Sequence, residues 1–227
     1  MRDRVLDRRV QFDEASKGYP IRTLIAPMKK PRSYTWRHYV TDQGAQGACV
    51  GHGCVQEAAA RPRPVFGDPV YNPASVADLE RIARATYARA QRLDQWAGQE
   101  PTYSGTSVLA GMKAGKEAGW WSGYRWALGP GPEAAAQDVI LSLGYHGPVI
   151  MGTAWRSGMW QADSDGYLRA TGADEGGHCY LLAAYSARRD AVWTPNSWGG
   201  DGQGWITRAD LVSLLAADGE ACLPTRL

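Results

Sequence analysis

The stretch Thr41–Gly53, TDQGAQGACVGHG, decides the reading of this chain. Cys49 sits among small residues, six positions after Gln43, and the apolar, Ala-rich run CVQEAAA follows it. That pattern is a loop delivering a thiol to the first turn of a helix, expected over Cys49–Ala60 and stopped by RPRP at Arg61–Pro64. Free backbone N–H groups and the positive dipole end at such a position favour the thiolate, the nucleophilic form of cysteine. Gln43, folded back along the loop, can aim its amide N–H at the same point, with the Cys49 backbone N–H as a second donor; two such donors make an oxyanion hole.

A thiolate mechanism needs a base and a group that orients it. The four histidines are His38, His52, His146 and His178. His178 lies in EGGHCYLLAAYS, where a glycine turn leads into an apolar, strand-like run. Asn196 lies in VWTPNSWGGDGQGW, just after the next such run. His178 and Asn196 follow Cys49 by roughly 130 and roughly 150 residues, the ~130–150 window that separates the cysteine of papain and the cathepsins from its histidine and asparagine.

On these residues the chain resembles the papain-like cysteine peptidases of the papain and cathepsin family, in a compact, disulfide-poor form of bacterial or phage type. QGAQGAC resembles the family's glutamine-to-nucleophile segment, and GPV at Gly147–Val149 the strand that opens its second lobe. GGHCYLLAAY resembles its histidine strand, and NSWG with GQGWI its asparagine–tryptophan turn and closing strand. The resemblance spans about Trp36 to Ile206. It implies an α+β, two-lobed fold: a helical first lobe, an antiparallel β-sheet second lobe and a cleft between them. It implies catalytic Cys49, His178, Asn196 and Gln43, with Asn196 orienting the imidazole and Trp198 covering their hydrogen bond. Gly105, Thr106, Gly152, Gly177 and Trp198 are then the residues expected to meet substrate. The strand Val149–Gly152 and Gly177 would wall an apolar pocket open to bulky side chains.

The chain departs from the family's C-G-[SA]-C-[WY] signature. Gln46 stands where the disulfide cysteine is usual, and Val50 where the aromatic is, followed by Gly51. Gly51 and Gly53 in the first helical turns cost roughly 1 kcal/mol each against alanine. A catalytically inactive binding or structural module on the same scaffold is therefore one alternative to a peptidase. An amide hydrolase acting on cell-wall peptide is another, since the triad does the same acyl chemistry there.

Composition bounds the rest. With 227 residues and 44% hydrophobic content, one two-lobed domain can bury a core. The formal net charge of +2 points to no nucleic-acid partner, and no apolar run of ~18 residues calls for a membrane span. MRDRVLDRRVQF has no apolar h-region and does not read as a signal peptide. With Cys49 set aside, Cys54, Cys179 and Cys222 are an odd number, which fits a reducing, cytoplasmic setting and small buried hydrophobes. No cofactor is called for. His52 with Cys54, and His178 with Cys179, are weak metal candidates: strand neighbours point to opposite faces, and no C-x2-C pair exists. The expected partner is a protein or peptide substrate.

Along the chain, residues 1–35 read as an extended arm with Pro20, Pro27 and Pro31. Its RTLIAP run is apolar enough to require burial, which favours an arm packed behind the lobes over one lying in the cleft. The peptidase domain is expected over 36–227, with a helical lobe at about 41–130 and a β lobe at about 131–227. Helical periodicity marks ASVADLERIARATYARAQRLDQW and GTSVLAGMKAGKEAG, the latter entered through Ser104-Gly105-Thr106 with Thr106 or Ser107 as N-cap. WWSGYRWALGPGP reads as an irregular crossing, and PEAAAQDVILSLGYHG as a helix ended by Gly144. GPVIMGTAW, GYLRA, HCYLLAAYS, DAVWTPNSW and GWIT read as strands, and DLVSLLAA as a last helix.

Overall fold

The computed structural model describes residues 4–25, 29–97 and 104–226; Pro27 of the expected arm lies outside them. In chain order the elements are β1 (Arg8–Arg9), β2 (Tyr34–Thr35), α1 (Cys49–Ala59), α2 (Val76–Gln91), β3 (Thr106–Ser107), α3 (Val108–Glu117) and β4 (Gly123–Trp126), then α4 (Pro132–Tyr145), β5 (Val149–Arg156), β6 (Asp174–Leu182), β7 (Ala184–Ser186), β8 (Ala191–Thr194), β9 (Gly204–Thr207), α5 (Arg208–Ala216) and β10 (Glu220–Thr225).

The arrangement is α+β and two-lobed. Helices α1, α2 and α3 form one lobe. The other is built on two four-stranded sheets, in the orders β4-β10-β5-β6 and β2-β7-β8-β9, antiparallel throughout. The long β5–β6 hairpin is the spine of the second lobe, pairing Val149 with Leu182 through to Ala154 with Gly177. Its two faces carry two cores. One, with Val149, Met151, Trp155, Tyr180 and Leu182, packs on Val139, Ile140 and Leu143 of α4 and Leu211 and Leu214 of α5. The other, with Ile150, Cys179 and Leu181, packs on Cys54 and Ala58 of α1 and Leu109 and Met112 of α3. Alternation along two strands thus splits the apolar residues between the lobe's own core and the inter-lobe contact.

Most expected elements form, with three differences. WWSGYRW contains a strand, β4, where an irregular crossing was expected; it pairs with β10, so each supplies the other's backbone partners. GYLRA forms only an isolated bridge between Tyr167 and Trp205. Helix α4 runs past Gly144 to Tyr145, because Gly144 packs against the backbone of Arg32, where a Cβ would come within 3.3 Å of the Arg32 carbonyl. At the entry to α3 it is Ser107 that caps: its Oγ accepts from Ala110 N–H at 3.1 Å.

Candidate active site

The loop before α1 is held by its own turns. Gly44 takes φ +63°, its N–H donates to Asp42 Oδ1 at 2.9 Å, and Ala48 N–H donates to Gln46 O at 2.8 Å. Cys49 follows as the first helical residue and is wholly buried. The two glycines that weaken α1 by propensity are required by packing. A Cβ at Gly51 would lie 2.1 Å from the Ala83 carbonyl on α2, and one at Gly53 would lie 3.1 Å from Cys179 Sγ on β6. Every residue of α1 is buried, so tertiary contacts rather than propensity hold this helix.

His178 stands on β6 one residue before Cys179, which shares a buried cluster with Cys49. Its Nε2 lies 2.8 Å from Asn196 Oδ1. The amide is not free to flip: Oδ1 also accepts from Ser197 N–H at 2.7 Å, and Nδ2 donates to Gly202 O at 3.0 Å. Oδ1 can only accept, so Nε2 carries the ring proton and Nδ1 the lone pair. That Nδ1 is buried with no hydrogen-bond partner in the structure. Asn196 takes φ +56°, a left-handed conformation that asparagine tolerates better than most residues. Trp198 stacks on the imidazole, ring centroids 4.7 Å apart, while Trp155 meets it edge-on at 4.9 Å. These rings shield the His178–Asn196 bond from water.

Gln43 is brought to the same place. Its backbone N–H donates to Ser197 O at 2.9 Å, and its Oε1 accepts from Ser197 Oγ at 2.8 Å. Ser197 therefore fixes which way the amide points, a role the sequence reading did not assign. Nε2 then faces Gln46 O at 2.9 Å and Val5 O at 3.1 Å.

That Val5 contact overturns the expectation that the leading segment packs behind the lobes. Ile21 and Ile25 are buried in the core, as RTLIAP requires, but residues 4–9 cross the cleft. Arg4 donates to Asp42 Oδ1 at 2.7 Å, Trp198 O at 2.9 Å and Asp201 Oδ2 at 3.1 Å. Asp7 lies near enough to Cys49 for its carboxylate to act on the thiol, and it forms a parallel bridge with Gly177. Arg8 and Arg9 pair in parallel with Thr106 and Ser107. Gly105 and Gly177 make room on the two sides: a Cβ at Gly105 would lie 1.6 Å from Asp7 O, and one at Gly177 1.9 Å from Arg8 O. Thr106 contributes backbone to the cleft; its Oγ1 turns away to Asp94 Oδ2 at 2.6 Å.

Closure changes the electrostatics expected of a thiolate–imidazolium pair. Burial raises the Cys49 thiol to about 11, with the Asp7 carboxylate adding to the rise. Burial lowers His178 to about 4, against the opposing bond from Asn196. Both groups are therefore neutral near pH 7, because the segment that covers them excludes the water that would solvate either charge.

The pocket beside Gly152 is also not the apolar one expected. A Cβ at Gly152 would meet Val108 Cγ2 at 2.7 Å, Arg8 Nε at 2.8 Å and Glu220 Oε1 at 3.2 Å. Arg8 fills it, donating from Nε at 3.0 Å and Nη2 at 2.6 Å to Glu220 Oε1, and from Nη2 to Asp218 O at 3.1 Å.

The remaining histidines serve elsewhere. His52 Nδ1 lies 2.8 Å from Thr41 Oγ1, and His38 Nδ1 2.8 Å from Trp36 O. All four cysteines are free and buried. Among the described residues, no three His, Cys, Asp or Glu side chains gather as a metal site.

No family model and no curated protein matches this chain. Solved structures do. Xylellain, a cysteine protease from Xylella fastidiosa, matches with TM-score 0.57 and 14% identity over 100% of this chain and 97% of its own. Digestive procathepsin L2 from Tenebrio molitor larval midgut matches with TM-score 0.60 and 18% identity, covering 96% of this chain and 77% of its own. Bromelain from Ananas comosus, in complex with the E64 inhibitor, matches with TM-score 0.54 and 12% identity over 87% of this chain and all of its own. The fold of this chain is similar to that of papain-like cysteine proteases.

Proposed function

We propose that the protein is a cysteine peptidase that hydrolyses peptide bonds through Cys49, His178 and Asn196. The observation that carries this reading is the imidazole tautomer. Asn196 holds the Nε2 proton and leaves the Nδ1 lone pair without a partner, on a strand that packs against α1. When the cleft opens, Nδ1 takes the thiol proton and the thiolate attacks a substrate carbonyl. Gln43 Nε2 and the Cys49 N–H receive the oxyanion. The amine leaves with the proton from His178, and a water deprotonated by the same imidazole hydrolyses the thioester.

Residues 4–9 hold the resting enzyme shut. The Val5 carbonyl occupies the donor meant for the oxyanion, so activity requires this segment to leave the cleft. Four unpaired cysteines support a reducing, cytoplasmic setting, and no described helix is long and apolar enough to cross a membrane. The test is turnover of fluorescence-quenched peptides by the full chain carrying Arg4→Ala and Arg8→Ala, which removes the segment's two charged anchors. Hydrolysis that disappears when Cys49→Ala is added supports the reading. An opened cleft with an alkylatable Cys49 and no hydrolysis leaves the inactive scaffold as the answer.

A further inference from the structure

Gln56 follows Cys49 by two turns of α1, on the same face of the helix, and is wholly buried. Its Nε2 donates to Asn196 O at 2.7 Å, from the helical lobe to the β lobe. A carbonyl can only accept, so the amide is fixed with Nε2 toward Asn196. Its Oε1 is buried and has no hydrogen-bond partner in the structure. An amide buried with half its capacity unmet costs stability, and a methionine of the same length would fill the space without that cost. Stability therefore does not account for a glutamine at this position; the bond between the lobes does.

From this geometry we infer that Gln56 is a positioning residue: through Asn196 it sets the orientation and tautomer of His178 from the same helix that carries Cys49. The inference rests on the peptidase reading above. What Gln56 holds is the peptide between Asn196 and Ser197. The carbonyl of that peptide is tied to Gln56, and its N–H donates to Asn196 Oδ1 at 2.7 Å. The same Oδ1 meets His178 Nε2 at 2.8 Å. Ser197 passes the constraint to Gln43, its Oγ donating to Gln43 Oε1 at 2.8 Å.

Asn196 sits at φ +56°, so its turn needs outside support to keep that shape. α1 grips the turn a second time through His52, one helical turn before Gln56. His52 Nδ1 lies 2.8 Å from Thr41 Oγ1, and Thr41 O accepts from Gly199 N–H at 3.1 Å. Without the Gln56 donor the Asn196–Ser197 peptide is free to swing, and Oδ1 swings with it. His178 Nε2 then loses the acceptor that keeps its proton in place, and the ring divides between its two neutral tautomers. Only the tautomer with a bare Nδ1 accepts the Cys49 proton as the proposed mechanism requires. The loss falls on the chemical step and leaves substrate binding in place.

The test reads the imidazole and the turnover separately. In the full chain with 15N-labelled histidine, His178 should show the Nε2–H tautomer alone, and Gln56→Met should show a mixture with Nδ1–H; His178→Ala identifies the signal. In the full chain opened by Arg4→Ala and Arg8→Ala, Gln56→Met should lower kcat on quenched peptides about tenfold with KM within about twofold. Gln56→Glu supplies the rescue and a second variant where the methionine does not fold. A protonated carboxyl can donate to Asn196 O and an ionised one cannot, so its activity relative to the opened parent should rise as pH falls. An unmixed His178 tautomer in Gln56→Met, or a kcat within about twofold of the opened parent, overturns the inference and leaves the peptidase reading intact. An opened parent that cleaves no peptide defeats the peptidase reading, and the His178 spectrum then decides by itself whether Gln56 sets the ring.

Discussion

Gly177→Ala should open the cleft without disturbing the strand that carries it. Gly177 lies on β6 outside the positive-φ region, so alanine brings no backbone strain there. The added methyl would sit 1.9 Å from Arg8 O, and that oxygen must retreat by about 1.5 Å to reach ordinary contact at 3.4 Å. A shift of that size breaks the Asp7–Gly177 bridge and pulls Arg8 off Glu220. The two charge-assisted bonds from Arg8 contribute roughly 1.5–3 kcal/mol each, so anchoring falls by about 3–6 kcal/mol. At 1.4 kcal/mol per factor of ten, the open fraction rises by at least about 10²-fold. The assay is iodoacetamide labelling of Cys49 at pH 7.5, followed by peptide mapping, with urea melts to confirm the fold. A reagent this small reads access to the thiol, whatever the methyl does to substrate. A labelling rate within twofold of the wild-type chain, in a variant that melts like it, would refute the closed-cleft argument.

Asn196→Ala strips the imidazole of its acceptor and leaves Ser197 N–H and Gly202 O without partners, at about 1–3 kcal/mol for each buried group stranded. Left-handed alanine adds roughly 1–2 kcal/mol; urea melts should show a loss of about 4 kcal/mol or more, and a loss below about 1 would contradict the network. In turnover, kcat should fall about 10²-fold and the acid limb of the profile should move to lower pH, because the Asn196 bond that raises the His178 pKa against burial is gone. Ser197→Ala frees the Gln43 amide to rotate and should lower kcat by about tenfold with KM nearly unchanged, the signature of a group acting only on the transition state; a change confined to KM would remove Ser197 from that role. Burial raises all four cysteine thiols above their ordinary value near 9, Cys49 to about 11. The folded state therefore holds protons that the unfolded chain releases above pH 9, so stability present below pH 9 is lost as pH rises toward 11. Thermal melts from pH 8 to 11 should show Tm falling across that window, and a flat profile would contradict the buried thiols.

The central elements were legible in the sequence because each carries a local constraint. Cys49 is marked by small residues before a helix, His178 by a glycine turn into an apolar strand, and Asn196 by its turn with Trp198. What the sequence hid is non-local. β10 carries no clear strand signal because Pro224 lies within it, and proline is rare inside a sheet; yet Pro224 pairs with Tyr124 in a strand flanked on both sides. With β10 unread, Glu220 had no place near Gly152. Arg4, Asp7 and Arg8 look like a solvated charge run, and only partners roughly 40 to 210 positions away, at Asp42, Gly177 and Glu220, give them work. Ser197 sits between Asn196 and Trp198 and carries no motif signal of its own. Gly51 and Gly53 count against a helix by propensity, and the backbone contacts that demand them appear only once α2 and β6 are in place. The apolar pocket was a fair reading of Val149–Gly152 alone, since the charge comes from another strand.

The most direct test of the account is covalent trapping by an epoxide of the E64 type, read by intact mass and peptide mapping on the full chain carrying Arg4→Ala and Arg8→Ala. The account predicts one equivalent of label, all of it on Cys49, and its abolition when His178→Ala is added, although Cys49 stays accessible to iodoacetamide. Label spread over Cys54, Cys179 and Cys222, or a rate on Cys49 indifferent to the loss of His178, would contradict a thiol activated by that imidazole.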